Sequence, residues 1–131
     1  MSKDLLFNVY SKAKNKKGID EELISFIDSI FPSKVEKVLE VLKKGITKYN
    51  YMPSNRVIWV ALGENCEHMI FPRLYCSCQD FYKNVVIQRK RDFCKHLVAQ
   101  AICEGLDDFH ELDLEDEDFH TLIEDLNLKF K

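Results

Sequence analysis

Glycine and proline are scarce in this sequence, which has four glycines and three prolines among 131 residues. The glycines are isolated, and no segment approaches the G-x-x-x-x-G-K-[ST] pattern of a phosphate-binding loop. Serine, histidine and aspartate do not occur in the recognisable context of a hydrolase triad, and the chain contains no internal repeat or low-complexity segment. We therefore expect a protein of one domain that is not an enzyme.

The sequence also lacks a long hydrophobic run. No apolar stretch approaches the length needed to cross a bilayer, and the residues after Met1 do not resemble a signal peptide. The five cysteines are an odd number, and in a reducing compartment they favour a metal site over disulfides. We expect an intracellular protein, cytoplasmic in a prokaryote or archaeon and nuclear in a eukaryote.

Lysine and arginine are absent from residues 104–125, where eleven acids occur. Residues 79–96 are the opposite, with five bases and two acids and hence a net charge of +3. The whole chain has a net charge of −3, and a globally acidic protein of this size is a poor candidate for tight DNA binding on its own. The bases near the centre of the chain are nonetheless candidate nucleic-acid contacts: Lys83, Arg89, Lys90, Arg91 and Lys95, with Arg73 as a further candidate.

Two closely spaced residue pairs form the pattern C-x-C…C-x-H: Cys76, Cys78, Cys94 and His96. Three thiolates and one imidazole are a common closed shell for tetrahedral zinc. In an extended strand, residues i and i+2 project to one face, so Cys76 and Cys78 can bind one ion while Ser77 points away. On an α-helix such residues lie about 200° apart, so Cys94 must precede the helix that contains His96. The spacing predicts one structural Zn²⁺.

Other interpretations of these residues stay open. The cysteines would also fit a core as ordinary buried thiols, since free cysteine is among the most buried residue types. Cys66 and His68 form a second C-x-H pair within a predicted strand, whereas Cys103 is expected to be a small core residue. The nearby bases would also stabilise the thiolates of a zinc site, with or without a role in contacting DNA.

Hydrophobic periodicity predicts an α+β fold, with an N-terminal helix pair, a small three-stranded antiparallel sheet, and a zinc finger leading into a C-terminal helix and an acidic tail. Asp20 is a predicted helix N-cap, and Ser33 with Glu36 predicts a capping box for the second helix. Strand composition marks residues 46–51, 56–62 and 66–71, of which the second is expected to be central. The third strand is expected to continue to Cys76.

The predicted organisation has four parts: a basic N-terminal arm or short helix (1–18), the helix pair and a hairpin or meander (19–75), the finger with its following helix (76–105), and an acidic amphipathic tail (106–131). Within the tail, residues 116–127 have the pattern of an amphipathic helix. Its apolar residues suit docking onto a basic partner surface, or folding back over the core of this chain: Phe109, Leu112, Leu114, Phe119 and Leu122.

The run from Tyr75 to Ala99, with C-x-C followed by C-x-H, resembles a SWIM-type zinc finger. Ala99 lies three residues after His96, and this C-x-H-x-x-A spacing resembles that of the small SWIM-domain subunits of Shu-type complexes. The resemblance covers residues 20–103 and implies a non-catalytic subunit of a heteromer. The implied partner is a RecA-like recombinase paralogue, and the implied role is to assist recombinase filaments on single-stranded DNA during homologous recombination and DNA repair. A homodimer is also compatible with the sequence.

Two other functions are alternatives to this one. A stand-alone nucleic-acid-binding zinc finger protein would use the basic residues of its finger loop. A fragment of the transposase lineages that carry SWIM fingers fits less well, because 131 residues leave no room for their catalytic domain. Steeply salt-dependent DNA binding by the isolated chain would favour the stand-alone finger over the adaptor.

Overall fold

The computed structural model describes residues 2–62, 67–91 and 93–119, which form an α+β fold around one mixed sheet. The helices are α1 (Ser2–Lys16), α2 (Glu21–Ile30), α3 (Val35–Lys44), a π-helix that we call the finger helix (Phe81–Ile87) and α4 (Lys95–Leu106). The strands are β1 (Ile46–Met52), β2 (Arg56–Leu62), β3 (Glu67–Phe71), β4 (Tyr75–Cys76) and β5 (His110–Glu115). The α+β class is confirmed.

The sheet differs from the predicted one because it has five strands in the order β4-β3-β2-β1-β5. β2 is central, as predicted, and four of its residues are buried. The third strand does not run on to Cys76. It ends at Phe71, a turn containing Pro72 follows, and β4 returns antiparallel to β3 with Ile70 opposite Cys76. A turn accommodates this proline because it supplies no backbone donor to a ladder.

The acidic tail is the larger correction. Residues 110–115 form β5, which pairs in parallel with β1 and places Leu112 beside Tyr49 and Leu114 beside Tyr51. Residues 116–119 are helical, and the remainder of the amphipathic helix predicted over 116–127 falls outside the described residues. The described part of the tail is therefore an edge strand of the sheet rather than an appendage.

The main core lies between the helices and one face of the sheet, which contributes Trp59, Ala61 and Ile70. Phe109 packs edge-on against Trp59 with ring centroids 4.8 Å apart. A second, smaller cluster on the other face contains Tyr51, Ile58 and Val60. This division follows from the alternation of side chains along each strand.

Local sequence signals explain most of the helix positions. The Asp20 carboxylate accepts a hydrogen bond from the Leu23 backbone N–H at 2.8 Å, so the predicted N-cap is confirmed. The predicted capping box is wrong: Lys34 is the N-cap of α3, with no side-chain hydrogen bond to the helix. Ser33 instead has a φ of 65° and donates its backbone N–H to Asp28.

Residues 2–16 form α1, which packs against α4. The sequence had predicted either a short helix or a flexible arm here. Leu6, Val9 and Ala13 are fully buried in this contact. The two helices approach closely at Gly105, where an added Cβ would lie 2.5 Å from the Tyr10 carbonyl oxygen. None of the helices in the described residues is long and apolar enough to cross a membrane.

Candidate zinc centre

The hairpin of β3 and β4 positions the first two candidate ligands. The Ser77 backbone N–H donates to the Met69 carbonyl at 3.0 Å, and the Ser77 hydroxyl accepts from the Met69 N–H at 2.8 Å. Ser77 is thereby held against β3, while Cys76 and Cys78 on either side of it are buried. The spacing of one residue between these cysteines serves to turn both thiols inward.

The start of α4 positions the other two candidate ligands. Cys94 is the N-cap residue with extended backbone angles, φ −107° and ψ 174°, and His96 is the second residue of the helix. This is the arrangement that the C-x-H spacing predicted, because only a residue before the helical turn can share a face with His96. Both side chains are buried.

The four side chains meet at one point. The thiol sulfurs of Cys76, Cys78 and Cys94 and a ring nitrogen of His96 all lie within 4.8 Å of one another. The distance from Cys94 Sγ to His96 Nδ1 is 3.8 Å. Bond lengths of about 2.3 Å to sulfur and 2.0–2.1 Å to nitrogen place tetrahedral zinc ligands roughly 3.5–3.8 Å apart. The cluster therefore suits one structural zinc ion held by these four residues, and the predicted cofactor is confirmed.

The cluster's electrostatics favour a bound cation. Hydrogen bonds from Cys76 and Cys94 lower the pKa of Cys78, so one sulfur ionises readily within the group. Hydrogen bonding to Cys78 raises the pKa of Cys76, and burial raises that of Cys94. Protein groups alone stabilise one negative sulfur but oppose further ionisation, whereas zinc stabilises all three thiolates.

The other candidate ligands lie outside this cluster or outside the described residues. Cys66 is not described by the structure. His68 on β3 packs its ring against His96, with centroids 4.7 Å apart, and burial lowers its pKa. Cys103 donates a hydrogen bond from its thiol to the Gln100 carbonyl, and burial raises its pKa to about 12. Cys103 is thus a neutral core thiol.

The segment between the two ligand pairs is folded around polar contacts that the sequence did not reveal. The Asp80 carboxylate accepts hydrogen bonds from Asn84 at 2.7 Å and from Arg91 at 3.0 Å. The backbone N–H groups of Lys90 and Arg91 both donate to the Asn84 carbonyl. The Phe81 N–H donates to Cys78 Sγ at 3.3 Å, which connects the finger helix directly to a candidate ligand.

Two curated relatives match most of the chain. It is 28% identical over 132 residues to the "Zinc finger SWIM domain-containing protein 7 homolog" of Dictyostelium discoideum, covering 98% of this chain and 84% of that protein. It is 23% identical over 122 residues to the mouse "Zinc finger SWIM domain-containing protein 7", covering 92% and 80%. The finger is of the SWIM type. No protein-family model and no solved structure matches the chain.

The basic residues of the SWIM finger are not equivalent. Lys83, Arg89 and Lys90 are exposed, and Lys95 is half-buried. Arg91 is held by Asp80, with its guanidinium 5.7 Å from the centre of the Phe31 ring. Outside the finger, Arg73 pairs with Glu104 at 3.5 Å and lies over Tyr10, so it fastens β3–β4 to the helices.

The apolar residues of the SWIM finger separate into two groups. Phe81 is buried and Val85 packs against the main core. Tyr82, Val86 and Ile87 are instead 60%, 49% and 58% exposed. A π-helix repeats after four to five residues, so these three side chains share one face. We define them as the apolar finger face.

Ala99, the residue of the longer SWIM pattern, is fully buried in the cluster that contains Trp59. Ala99→Leu is expected to lower the free energy of unfolding by about 1–3 kcal/mol, because a close-packed core has no space for three more carbons. Ala99→Ser is expected to cost much less. Thermal melts of the zinc-loaded variants measure both effects. Equal and negligible losses would contradict the close packing at this position.

Proposed function

We propose that the protein is a non-catalytic, zinc-binding adaptor subunit that docks onto a RecA-like recombinase paralogue and assists homologous recombination and DNA repair. The resemblance of the finger to those of Shu-type subunits suggests the class of partner. The names of the two relatives are compatible with this proposal but specify neither partner nor process.

The coordination of the site supports a structural rather than a catalytic role. Four buried protein ligands fill a tetrahedral shell, which leaves no position at which zinc would bind and activate water. The ion would connect β4 and the start of α4, and so hold the segment between them in place. Any activity of the assembly would then reside in the partner.

The apolar finger face is the observation that carries the docking proposal. Tyr82, Val86 and Ile87 present exposed aromatic and aliphatic surface on a helix that is tied to Cys78 by the Phe81 N–H and to Arg91 by Asp80. Such rigid apolar anchors supply most of the affinity of protein interfaces. Of the tail residues that had been candidate anchors, Phe109, Leu114 and Phe119 pack within this chain, so the finger is the better docking surface.

Affinity purification of the tagged full-length chain from its native cell, followed by mass spectrometry, tests the proposal. A RecA-like paralogue is the expected partner, and Ile87→Asn is expected to reduce its recovery at least tenfold. Leu112→Asn is the matched control because Leu112 is 51% exposed on β5 and far along the sheet from the finger. Recovery of no RecA-like protein, or an equal loss in both variants, would contradict the proposal.

A further inference from the structure

A surface groove runs between the start of α3 and the SWIM finger. It consists of two adjoining depressions of about 120 and 340 Å³ that share Phe31, Lys34 and Arg91 in their walls. Lys37 and Lys95 line the first depression, and Lys90 lines the second. Five cations from two separate parts of the chain therefore surround one groove. We call it the α3–finger groove. Its two α3 lysines lie outside the basic segment that the sequence singled out.

The groove carries cations that the described residues of this chain do not neutralise. Asp80 is the acid in its wall, and Arg91 already binds that carboxylate. Within the described residues, none of the four lysines forms an ion pair with a carboxylate. Arg91 is held against Phe31, and the backbone at Lys90 is fixed by Asn84. Four of the five cations thus have no carboxylate partner among the described residues, while Arg91 and the backbone of Lys90 are held in place at the groove.

The acids of β5 lie at the opposite edge of the sheet from the zinc centre. Cys76 of the zinc centre is on β4, whereas the acids of β5 follow after three intervening strands. At about 4.8 Å between neighbouring strands, the two edges are roughly 19 Å apart. This exceeds the Debye length of about 8–10 Å at physiological ionic strength, so salt screens the acids of β5 from the sheet edge that carries the zinc centre.

We propose that the α3–finger groove binds the phosphate backbone of a nucleic-acid strand. Several ammonium groups along a concave surface match a chain of phosphates. An acidic protein partner or a membrane surface would be expected to use exposed apolar side chains among the bases. Here the aromatic walls, Phe31 and Phe93, are each only 3% exposed. The proposal does not depend on a RecA-like partner, since it concerns this chain alone.

Fluorescence anisotropy with the zinc-loaded full-length chain and a labelled thymidine oligomer of about 30 nucleotides tests the groove, over a series of salt concentrations. The Lys34→Gln/Lys37→Gln variant is expected to raise Kd about tenfold. It is also expected to reduce the slope of log K against log salt by about 1.4, because each contact with a single strand contributes about 0.7. Circular dichroism and zinc content verify that the variant is folded.

The matched control is Lys43→Gln/Lys44→Gln, which removes the same charge from the other end of the same helix. It is expected to change Kd less than twofold. Equal weakening by both variants would mean that net charge alone acts, and would overturn the groove as a site. The proposal would also be overturned if the unaltered chain did not bind the oligomer. The same holds if the groove variant bound the oligomer normally and lost only its binding to phosphatidylserine vesicles. A duplex of the same length shows which form of nucleic acid is preferred.

Discussion

Cys94→Ser is expected to release zinc and to unfold most of the chain at room temperature. Structural zinc contributes an apparent binding free energy of about 10–16 kcal/mol, whereas the whole stability of a typical domain is about 5–15 kcal/mol. Loss of one ligand removes much of the first quantity and leaves two buried thiols and a buried imidazole without their ion. The same result is expected for the other ligands: Cys76→Ser, Cys78→Ser and His96→Ala.

Zinc per chain, measured by mass spectrometry of the purified protein, and thermal melts by circular dichroism check this expectation. Cys103→Ala is the matched control, because it removes a buried thiol on α4 that lies outside the cluster. It should keep one zinc per chain, as should His68→Ala and Cys66→Ser. A requirement for Cys66 or His68 in stoichiometric binding would show that the ligand set is wrong. A chelator should unfold the native chain as the substitutions do.

The zinc centre was predictable because its geometry is local. Each ligand pair spans three residues, so strand and helix periodicity alone decide which way the side chains point. The helix at Cys94 and the N-cap at Asp20 follow from the same short-range rules. The Ser33 capping pattern was misleading because Ser33 forms part of a turn with positive φ, which displaces the helix start to Val35.

The extent of the sheet was not predictable in this way. β5 pairs in parallel with β1, about sixty residues earlier in the chain, and no local rule specifies that partner. A signal was present, since His110–Glu115 alternates leucine with acids in the period of a strand. The high density of acids led instead to the prediction of an acidic amphipathic tail. Two of these acids, Glu111 and Asp113, in fact accept hydrogen bonds from Asn50 of β1.

The exposure of the finger's apolar residues was also not predictable from local sequence rules. Of its apolar residues, Phe81 and Val85 pack onto the domain, whereas Tyr82, Val86 and Ile87 are exposed. A π-helix has neither of the periods from which amphipathic patterns are inferred, so composition alone did not separate the two groups. Likewise, Lys34 and Lys37 lie far from the finger in sequence, and only the fold brings them to the groove.

Removal of residues 107–131 is expected to unfold the chain even when zinc is in excess. β5 covers one edge of β1, and Glu111 of β5 accepts a hydrogen bond from Asn50 at 2.8 Å. Asp116, just after β5, accepts from the Ser54 hydroxyl in the turn after β1 at 2.7 Å. Phe109 is partly buried, and loss of its edge-on pair with Trp59 should cost about 0.5–1.5 kcal/mol beyond the apolar area that its ring buries. Loss of Leu114 and Phe119 then exposes Tyr51, which is otherwise buried.

Two point variants distinguish the contribution of buried side chains on β5 from that of its backbone pairing with β1. Leu114→Asn places an amide in the cluster around Tyr51, where an unpaired polar group costs about 1–3 kcal/mol beyond the lost apolar contact. Leu112→Asn, two residues earlier on the same strand, changes a side chain that is half exposed and should melt within a few degrees of the native protein. Zinc content and melting temperature are measured for all three proteins. A truncated chain that keeps its zinc and a cooperative melt, but no longer captures a partner, would show that the tail is an interface and that β5 is dispensable to the fold.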